Sequence, residues 1–360
     1  MRILVLGGTG AMGKHLVEQL ESQDNEVTVT SRSRSGRTGG AEYIKGNAHD
    51  LEFLCNLLSK PWDAIVDFMV YTTAEFQQRY KKLLAATDQY FFISSARVYA
   101  DSKLPLTEDS PRLLDVVKDA EYLKTDEYAL SKARQENLLF SSGSSNWTII
   151  RPYITYDSER LQLGVLEKED WLYRALRGRS VLTARQIQDR TTTLTSGEDV
   201  SSALCALIGK QAALGEAFHI TSGSVISWRE VSEIYSEVLV QHGAKVSLVE
   251  QDLDGFLAWR SGKYQVVYDR LFDRVFDNKK ISQFVDHAAF IVPQDGLKEC
   301  LGEFLKKKHY VFKTPNWREE ALKDYIVKEK TPLSEVSGLK SKIKYSLFRA
   351  APKAGRLLLP

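Results

Sequence analysis

Residues 2–13 read RILVLGGTGAMG: a short aliphatic run, Ile3–Leu6, passes straight into glycines at Gly7, Gly10 and Gly13. An uninterrupted apolar run of this kind suits a parallel strand buried on both faces. The glycines allow a tight turn and a close approach of the backbone to a ligand. The helix expected from about Ala11 to Glu21 turns its positive end toward the same spot. Gly8-x-Gly10-x-x-Gly13 also satisfies the general dinucleotide spacing. A strand before and a helix after are the context of a pyrophosphate cradle, with Gly7, Thr9, Gly10, Ala11, Met12 and Gly13 as its candidate contacts.

Outward from this opening, strand patterns at Glu26–Thr30, Glu42–Lys45, Ala64–Phe68, Tyr90–Ser94 and Trp147–Arg151 alternate with helical ones. The helices fall at Leu51–Leu58, Ala74–Ala86 and Asp126–Phe140. Such alternation predicts βαβ units, hence an α/β Rossmann-type doubly wound parallel sheet. Ligands of such sheets bind beyond the carboxyl ends of the strands. That rule gathers Gly7–Gly13, Ser31–Arg34, Phe68–Tyr71, Ser94–Tyr99 and Arg151–Tyr153 around one crevice.

The pattern predicts a nucleotide-binding domain over residues 1–153, to which later segments can return. A smaller mixed α/β substrate lobe over 154–330 and a basic tail over 331–360 follow. The lobe is expected to hold helices near Trp171–Leu176 and Asp199–Leu207, a strand at Ala217–Thr221 and a helix at Glu230–Val240. An S-x-x-E capping box, Ser227 with Glu230, opens the last of these.

Charge is balanced, with 49 basic against 47 acidic residues, so nothing global points to nucleic acid. Cys55, Cys205 and Cys300 form no CxxC pair, and the six histidines lack metal-ligand spacing. Free thiols, no metal and a soluble cytoplasmic protein are expected. The first apolar run is too short for a signal peptide, and no stretch is long enough to span a bilayer. From Lys340 to Arg356 there are six basic residues and no acidic one, with Ile343 and Leu347 at helical spacing. Packing of this tail on its own protein or on a second subunit is expected ahead of contact with a membrane surface. A homodimer is the prior expectation for the assembly.

Tyr128 and Lys132 are i and i+4, so a helix places both side chains on one face. A neighbouring ammonium favours the tyrosinate, which suits a phenol that exchanges a proton near neutrality. Ser94 and Ser95 close a strand, where a hydroxyl can bond a substrate alcohol or carbonyl.

With GGTGAMG at Gly7–Gly13, SSARVY at Ser94–Tyr99, YALSK at Tyr128–Lys132 and the pair Arg151–Pro152, the chain resembles the extended short-chain dehydrogenase/reductases, the nucleotide-sugar epimerase/dehydratase group. DVSSA at Asp199–Ala203 and DNKK at Asp277–Lys280 are weaker landmarks, and WDAIVDFMVY at Trp62–Tyr71 is closest to a branch that includes chloroplast stem-loop-binding proteins. The resemblance implies an NAD(P) cofactor, with Tyr128 as catalytic acid/base and Lys132 orienting the cofactor ribose and tuning Tyr128. Ser95 would bind the reacting oxygen, with Ser94 as the alternative. Phe68 and Tyr153 would border the cofactor, Tyr153 near the nicotinamide. Asn47 and Ala48 would border the adenine, Asn47 standing where the family often has an acid.

The second strand ends VTVTSRSRS, without a carboxylate for a ribose diol; Arg32 and Arg34 stand there instead. Arginine accommodates a 2′-phosphate, so NADP is favoured over NAD. Sugar dehydratases of the resembling group carry an acidic pair after the catalytic hydroxyl. Here Ala96 and Arg97 follow Ser95, which disfavours water elimination. An epimerase of a nucleotide-activated sugar, acting through a transient keto-sugar, is the expectation. An NADPH-dependent keto-sugar reductase is the alternative, and an RNA-binding or scaffold protein on the same fold is the competing class. Besides Ser95, Arg185, Arg190, Arg270 and Arg274 are candidates for a substrate diphosphate, Arg190 and Arg270 foremost, because guanidinium matches phosphate oxygens in bidentate geometry.

Overall fold

The computed structural model describes residues 1–352. It divides into two compact units, the first made of residues 1–157, 192–225 and 273–296. Its elements run β1 (Arg2–Leu6), α1 (Gly13–Ser22), β2 (Glu26–Ser31), β3 (Gly36–Thr38), β4 (Ala41–Lys45), α2 (Leu51–Leu57), β5 (Trp62–Asp67) and α3 (Thr73–Ala85). After these come β6 (Thr87–Ile93), α4 (Tyr128–Phe140), β7 (Trp147–Pro152), α5 (Gly197–Leu207) and β8 (Glu216–Ile220).

The strands form one sheet in the order β8-β7-β6-β5-β1-β2-β4-β3. Every pairing is parallel except β3 with β4. The chain starts at β1, builds toward β4, then crosses back to β5 on the other side of β1. That reversal is the switch point at which doubly wound sheets bind ligands.

Both faces are covered at the centre of the sheet, which is why β1, β5 and β6 carry continuous apolar runs rather than alternating ones. Ile3 and Val5 face a core built with Leu16, Val17 and Leu20 of α1 and Leu204 of α5. Leu4 and Leu6 face the opposite core with Leu54 of α2, Phe76 and Leu83 of α3 and Leu139 of α4. Helix starts are set by side chains: Asp50 caps α2, and Thr72 with Glu75 forms a capping box on α3.

The second unit comprises residues 158–191, 226–272 and those from 297 onward. It holds a parallel strand pair, Val181–Ala184 with Leu248–Gln251. Around it lie α6 (Trp228–Gln241), α7 (Trp317–Val327) and α8 (Leu339–Ala350). The expected capping box of Ser227 and Glu230 opens α6. Trp171 stacks on Tyr235 at 4.5 Å. Arg174, fully buried, bonds Glu320 and Asp324 of α7, both at 2.8 Å.

The expected division of the chain changes in one respect. The stretch 154–330 is not one lobe, because β8 extends the first unit's sheet beside β7, Glu216 opposite Thr148, and brings 192–225 with it. The tail packs on its own protein, as expected: Tyr345 of α8 donates to Asp324 of α7 at 2.6 Å. Arg356, the last basic residue of that run, lies outside the described residues. Finally β3 carried no sequence signal, since all three of its residues are exposed and no apolar alternation marks it. Among the described residues, no helix is long and apolar enough to cross a membrane.

Candidate functional site

The loop from β1 to α1 shows what each glycine is for. Gly7 takes φ +75°, a left-handed conformation that favours glycine, and its N–H donates to Thr30 Oγ1 at 3.0 Å. A Cβ on Gly13 would stand 2.6 Å from the Gly8 backbone, so helix and strand meet there without a side chain between them. A Cβ on Gly10 would meet nothing within 4 Å. Helix α1 has neither a side-chain cap nor an acid in its first turn. No side chain of the helix therefore competes with an anion for the positive end of its dipole.

The loop is supported from behind by α5. Ser201 Oγ donates to Met12 O at 2.7 Å across 189 residues of sequence. Gly197 approaches so closely that a Cβ would lie 2.3 Å from Ala11 O. The only sequence signal for this support was the landmark Asp199–Ala203.

In front of the loop lies a cleft of about 300 Å³. Gly7 and Thr9 line it, with Ser31 and Arg32 after β2, Asn47, Ala48 and His49 after β4, and Phe68 to Val70 after β5. No carboxylate is among the lining residues. Ser31 Oγ accepts from the N–H groups of Ser33 and Arg34 and so turns the chain. Arg32 then borders the cleft, while the Arg34 guanidinium lies over the Tyr43 ring at 5.7 Å. His49, which the motifs did not single out, is held by Glu75 at 3.2 Å and meets the edge of Tyr71.

The next strand end separates the two serines. Ser94 Oγ donates to Glu136 at 2.6 Å. Ser95 Oγ only accepts, from Arg97 N at 3.2 Å, which leaves its O–H as a donor. Tyr128 opens α4, and Lys132 follows one turn later. The Lys132 side chain is buried; its Nζ donates to Ile93 O at 2.8 Å and stands 5.9 Å from the centre of the Tyr128 ring. Arg97 pairs with Glu127 at 2.5 Å and lies 5.2 Å over the same ring.

Beneath these groups sits Asp67, the last residue of β5, which the motifs passed over. Its carboxylate accepts from Met69 N at 3.0 Å, Tyr90 OH at 2.9 Å and Tyr71 OH at 3.4 Å. Burial pushes the Asp67 carboxyl up to about 6. Burial also brings the Lys132 ammonium down to about 8, against the opposing pull of the Asp67 and Glu136 charges. The sign that something unusual sits here was an acid inside the apolar run AIVDFMV.

Other expected contacts are committed elsewhere. The Tyr153 side chain is 1% exposed and packs on Phe276 at 5.5 Å, so it belongs to the core rather than the open cleft. Arg274 is fully buried and donates to Tyr99 O and Ala100 O, both at 3.0 Å, fixing the chain that follows Ser95. Arg270, in the second unit, is buried; it donates to Gly164 O at 2.9 Å and pairs with Asp269. Neither arginine is presented to a diphosphate. Arg185 lies 3.5 Å from Glu250, and Arg190, half-buried, belongs with it to the second unit. The structure thus brings together the glycine loop, Arg32, Asn47, Ala48 and Phe68, and beside them Ser95, Tyr128 and Lys132.

Residues 7–181 match the NAD(P)H-binding domain family. Three curated relatives are similar. A chloroplast stem-loop binding protein of 41 kDa from Arabidopsis thaliana is 26% identical over 243 residues, 63% of this chain and 60% of its own length. A UDP-glucose 4-epimerase from Lactobacillus helveticus is 28% identical over 31% of this chain and 41% of its own. A 2′-dehydrokanamycin reductase from Streptomyces kanamyceticus is 24% identical over 76% and 79%. The match therefore spans less than two thirds of the length of the first two. Among solved structures, a UDP-glucuronic acid 4-epimerase from Bacillus cereus superposes with TM-score 0.65 and 16% identity, over 86% of this chain and all of that one.

Proposed function

We propose that the chain is an NAD(P)-dependent epimerase of a nucleotide-activated sugar, of the extended short-chain dehydrogenase/reductase type; its NAD(P)H-binding domain and its similarity to such proteins support this reading. The observation that carries this is the buried Lys132 ammonium 5.9 Å from the Tyr128 ring, with Ser95 two residues past the carbonyl that holds it. A phenol beside an ammonium is equipped to take and return a proton. The position after Ser95 supports epimerisation over dehydration. Ala96 is buried, and Arg97 places a cation over Tyr128 where the loss of water would need an acid and a base. The names of the Lactobacillus and Bacillus cereus proteins point the same way.

The open side of Gly10, the uncapped start of α1 and the cleft fit a dinucleotide. When bound, the nicotinamide supplies a hydride acceptor and donor. The loop N–H groups would hold the pyrophosphate, and Lys132 would bond the ribose hydroxyls. Tyr128 takes the proton of the sugar hydroxyl, while Ser95 donates to the same oxygen. After the keto-sugar has turned over, Tyr128 returns the proton. Arg32 on the rim and the absence of a carboxylate favour NADP.

A keto-sugar reductase is the second candidate, favoured by the Streptomyces relative. The two separate when the purified protein is denatured and its dinucleotide identified. Near one equivalent of oxidised cofactor, with interconversion of a UDP- or dTDP-sugar, supports the epimerase. An empty protein that oxidises NADPH with a keto-sugar establishes the reductase. Neither cofactor nor turnover would overturn both.

A further inference from the structure

The first 335 residues hold 43 basic and 47 acidic residues, a net of −4, and the last 25 hold six basic and none acidic. The last 25 residues are thus net positive while the rest of the chain is slightly net negative. Helix α8 is fixed by one apolar stripe: Tyr345 and Phe348 are buried, Tyr345 bonding Asp324 and Phe348 lying under the Arg318 guanidinium at 5.3 Å.

A second apolar stripe faces outward. Leu339 is 74% exposed and Ile343 is 55% exposed, one turn apart. At about 100° per residue, both lie on the side of the helix opposite Tyr345 and Phe348. The same spacing puts Lys340 and Lys344 on one flank of this stripe and Lys342 on the other. Among the described residues none of these lysines forms an ion pair. Beyond the helix the sequence adds Lys353, Arg356 and three consecutive leucines, again without an acid.

We propose that α8 docks on an anionic membrane surface. An exposed aliphatic stripe with lysines on both flanks suits a helix that lies in the interface, its apolar side among acyl chains and its ammonium groups at phosphate level. Single-stranded nucleic acid would require exposed aromatic faces for stacking, and the aromatics of this helix are turned inward. The inward stripe holds the helix in place, so docking needs no unfolding.

The test uses the full chain and vesicles of phosphatidylcholine, alone or with about 30 mol% phosphatidylglycerol, an anionic surface that attracts each nearby lysine about fivefold. Sedimentation should show binding to the anionic vesicles alone, weakening as salt rises. The triple variant Lys340→Gln, Lys342→Gln, Lys344→Gln should bind about a hundredfold more weakly, three such factors combined. The pair Leu339→Ser, Ile343→Ser should weaken binding about tenfold by removing the inserted stripe. All five side chains are exposed or half-buried, and circular dichroism checks that the variants fold. Absence of binding to anionic vesicles, or equal binding by both variants, would overturn the proposal. So would capture of an RNA oligonucleotide without capture of vesicles, or a dimer that only Leu339→Ser, Ile343→Ser dissolves while vesicles are ignored.

Discussion

Glu136 and Asp67 are both buried carboxylates at the carboxyl end of one sheet, and their surroundings differ. Glu136 on α4 takes the Arg151 guanidinium at 2.8 and 2.9 Å, Arg112 at 3.1 Å and the Ser94 hydroxyl at 2.6 Å. Asp67 has only neutral donors, two phenols and one backbone N–H, and no cation within ion-pair distance among the described residues. A buried charge with matched cations is a fixed strut, costly to break. A buried carboxyl without them stays poised between its two forms, and this one influences the lysine beside Tyr128. The first charge holds the strand ends in place; the second tunes what happens on them.

If that division is right, substitutions should separate into those that unfold the protein and those that stall it. Tyr128→Phe should stall it most, lowering kcat by about a hundredfold to ten-thousandfold. Stability should stay within about 0.5 kcal/mol, as for a change outside the core network. Turnover measured beside the amount of dinucleotide bound decides this, and an undiminished kcat would remove Tyr128 from the chemistry. Glu136→Gln should do the reverse, leaving Arg151 buried beside a neutral amide and costing about 3–5 kcal/mol. Urea unfolding reads that loss. A change under about 1 kcal/mol would mean that the pair is no strut.

Asp67→Asn tests the other half. The carboxyl titrates at about 6 when folded against 3.8 ordinarily, so the folded state holds its proton more tightly. The stability it contributes is complete below pH 3.8 and is lost as pH rises through about 6. A rise of that size corresponds to about 3 kcal/mol. Asparagine keeps an acceptor for Met69 N and carries no charge. The variant should therefore be at least as stable as the parent at pH 7 and lack its dependence between pH 4 and 6. Activity should respond in another window. The Asp67 charge raises the Lys132 pKa toward about 8, so removing it should move the alkaline limb of kcat/KM acid-ward, by about one pH unit. At pH 8.5 that amounts to about a tenfold loss. A limb that does not move would separate Asp67 from Lys132.

What could be read from the sequence follows the same boundary between local and assembled features. Strands β1, β5, β6 and β7 were legible because burial on both faces leaves an apolar run that needs no partner to be recognised, and β2 because its Val-Thr alternation is β-branched throughout. Tyr128 and Lys132 were legible because four residues on a helix fix a face. Asp67 was not, since its meaning depends on Tyr71, Tyr90 and Lys132, brought in from α3's approach, β6 and α4. Arg270 and Arg274 were misread for a related reason. An arginine in a string looks the same whether it awaits a phosphate or holds backbone carbonyls in the core. Gly197 and Ser201 needed the return of a distant segment before their support of the loop could exist.

The finest contrast is between two exposed arginines two residues apart, Arg32, expected at the cofactor, and Arg34. Ser31 turns the chain so that only Arg32 borders the cleft, and Arg34 is drawn onto Tyr43. Arg32→Asp should weaken NADPH about tenfold by losing a phosphate contact, while the new carboxylate can accept from a ribose diol and improve NADH. Arg34→Asp should change either by about twofold at most, as for a screened charge at the protein surface. Titrating both cofactors against both variants measures the contrast, and raising salt should shrink the Arg32 effect. Equal responses at the two positions would mean that the preference arises from the summed charge of the loop and not from the turn at Ser31. A preference for NADH in the unaltered protein would remove the assignment of Arg32 altogether. The cleft would still be a dinucleotide site in that case, because the glycine loop and the start of α1 do not depend on which cofactor they hold.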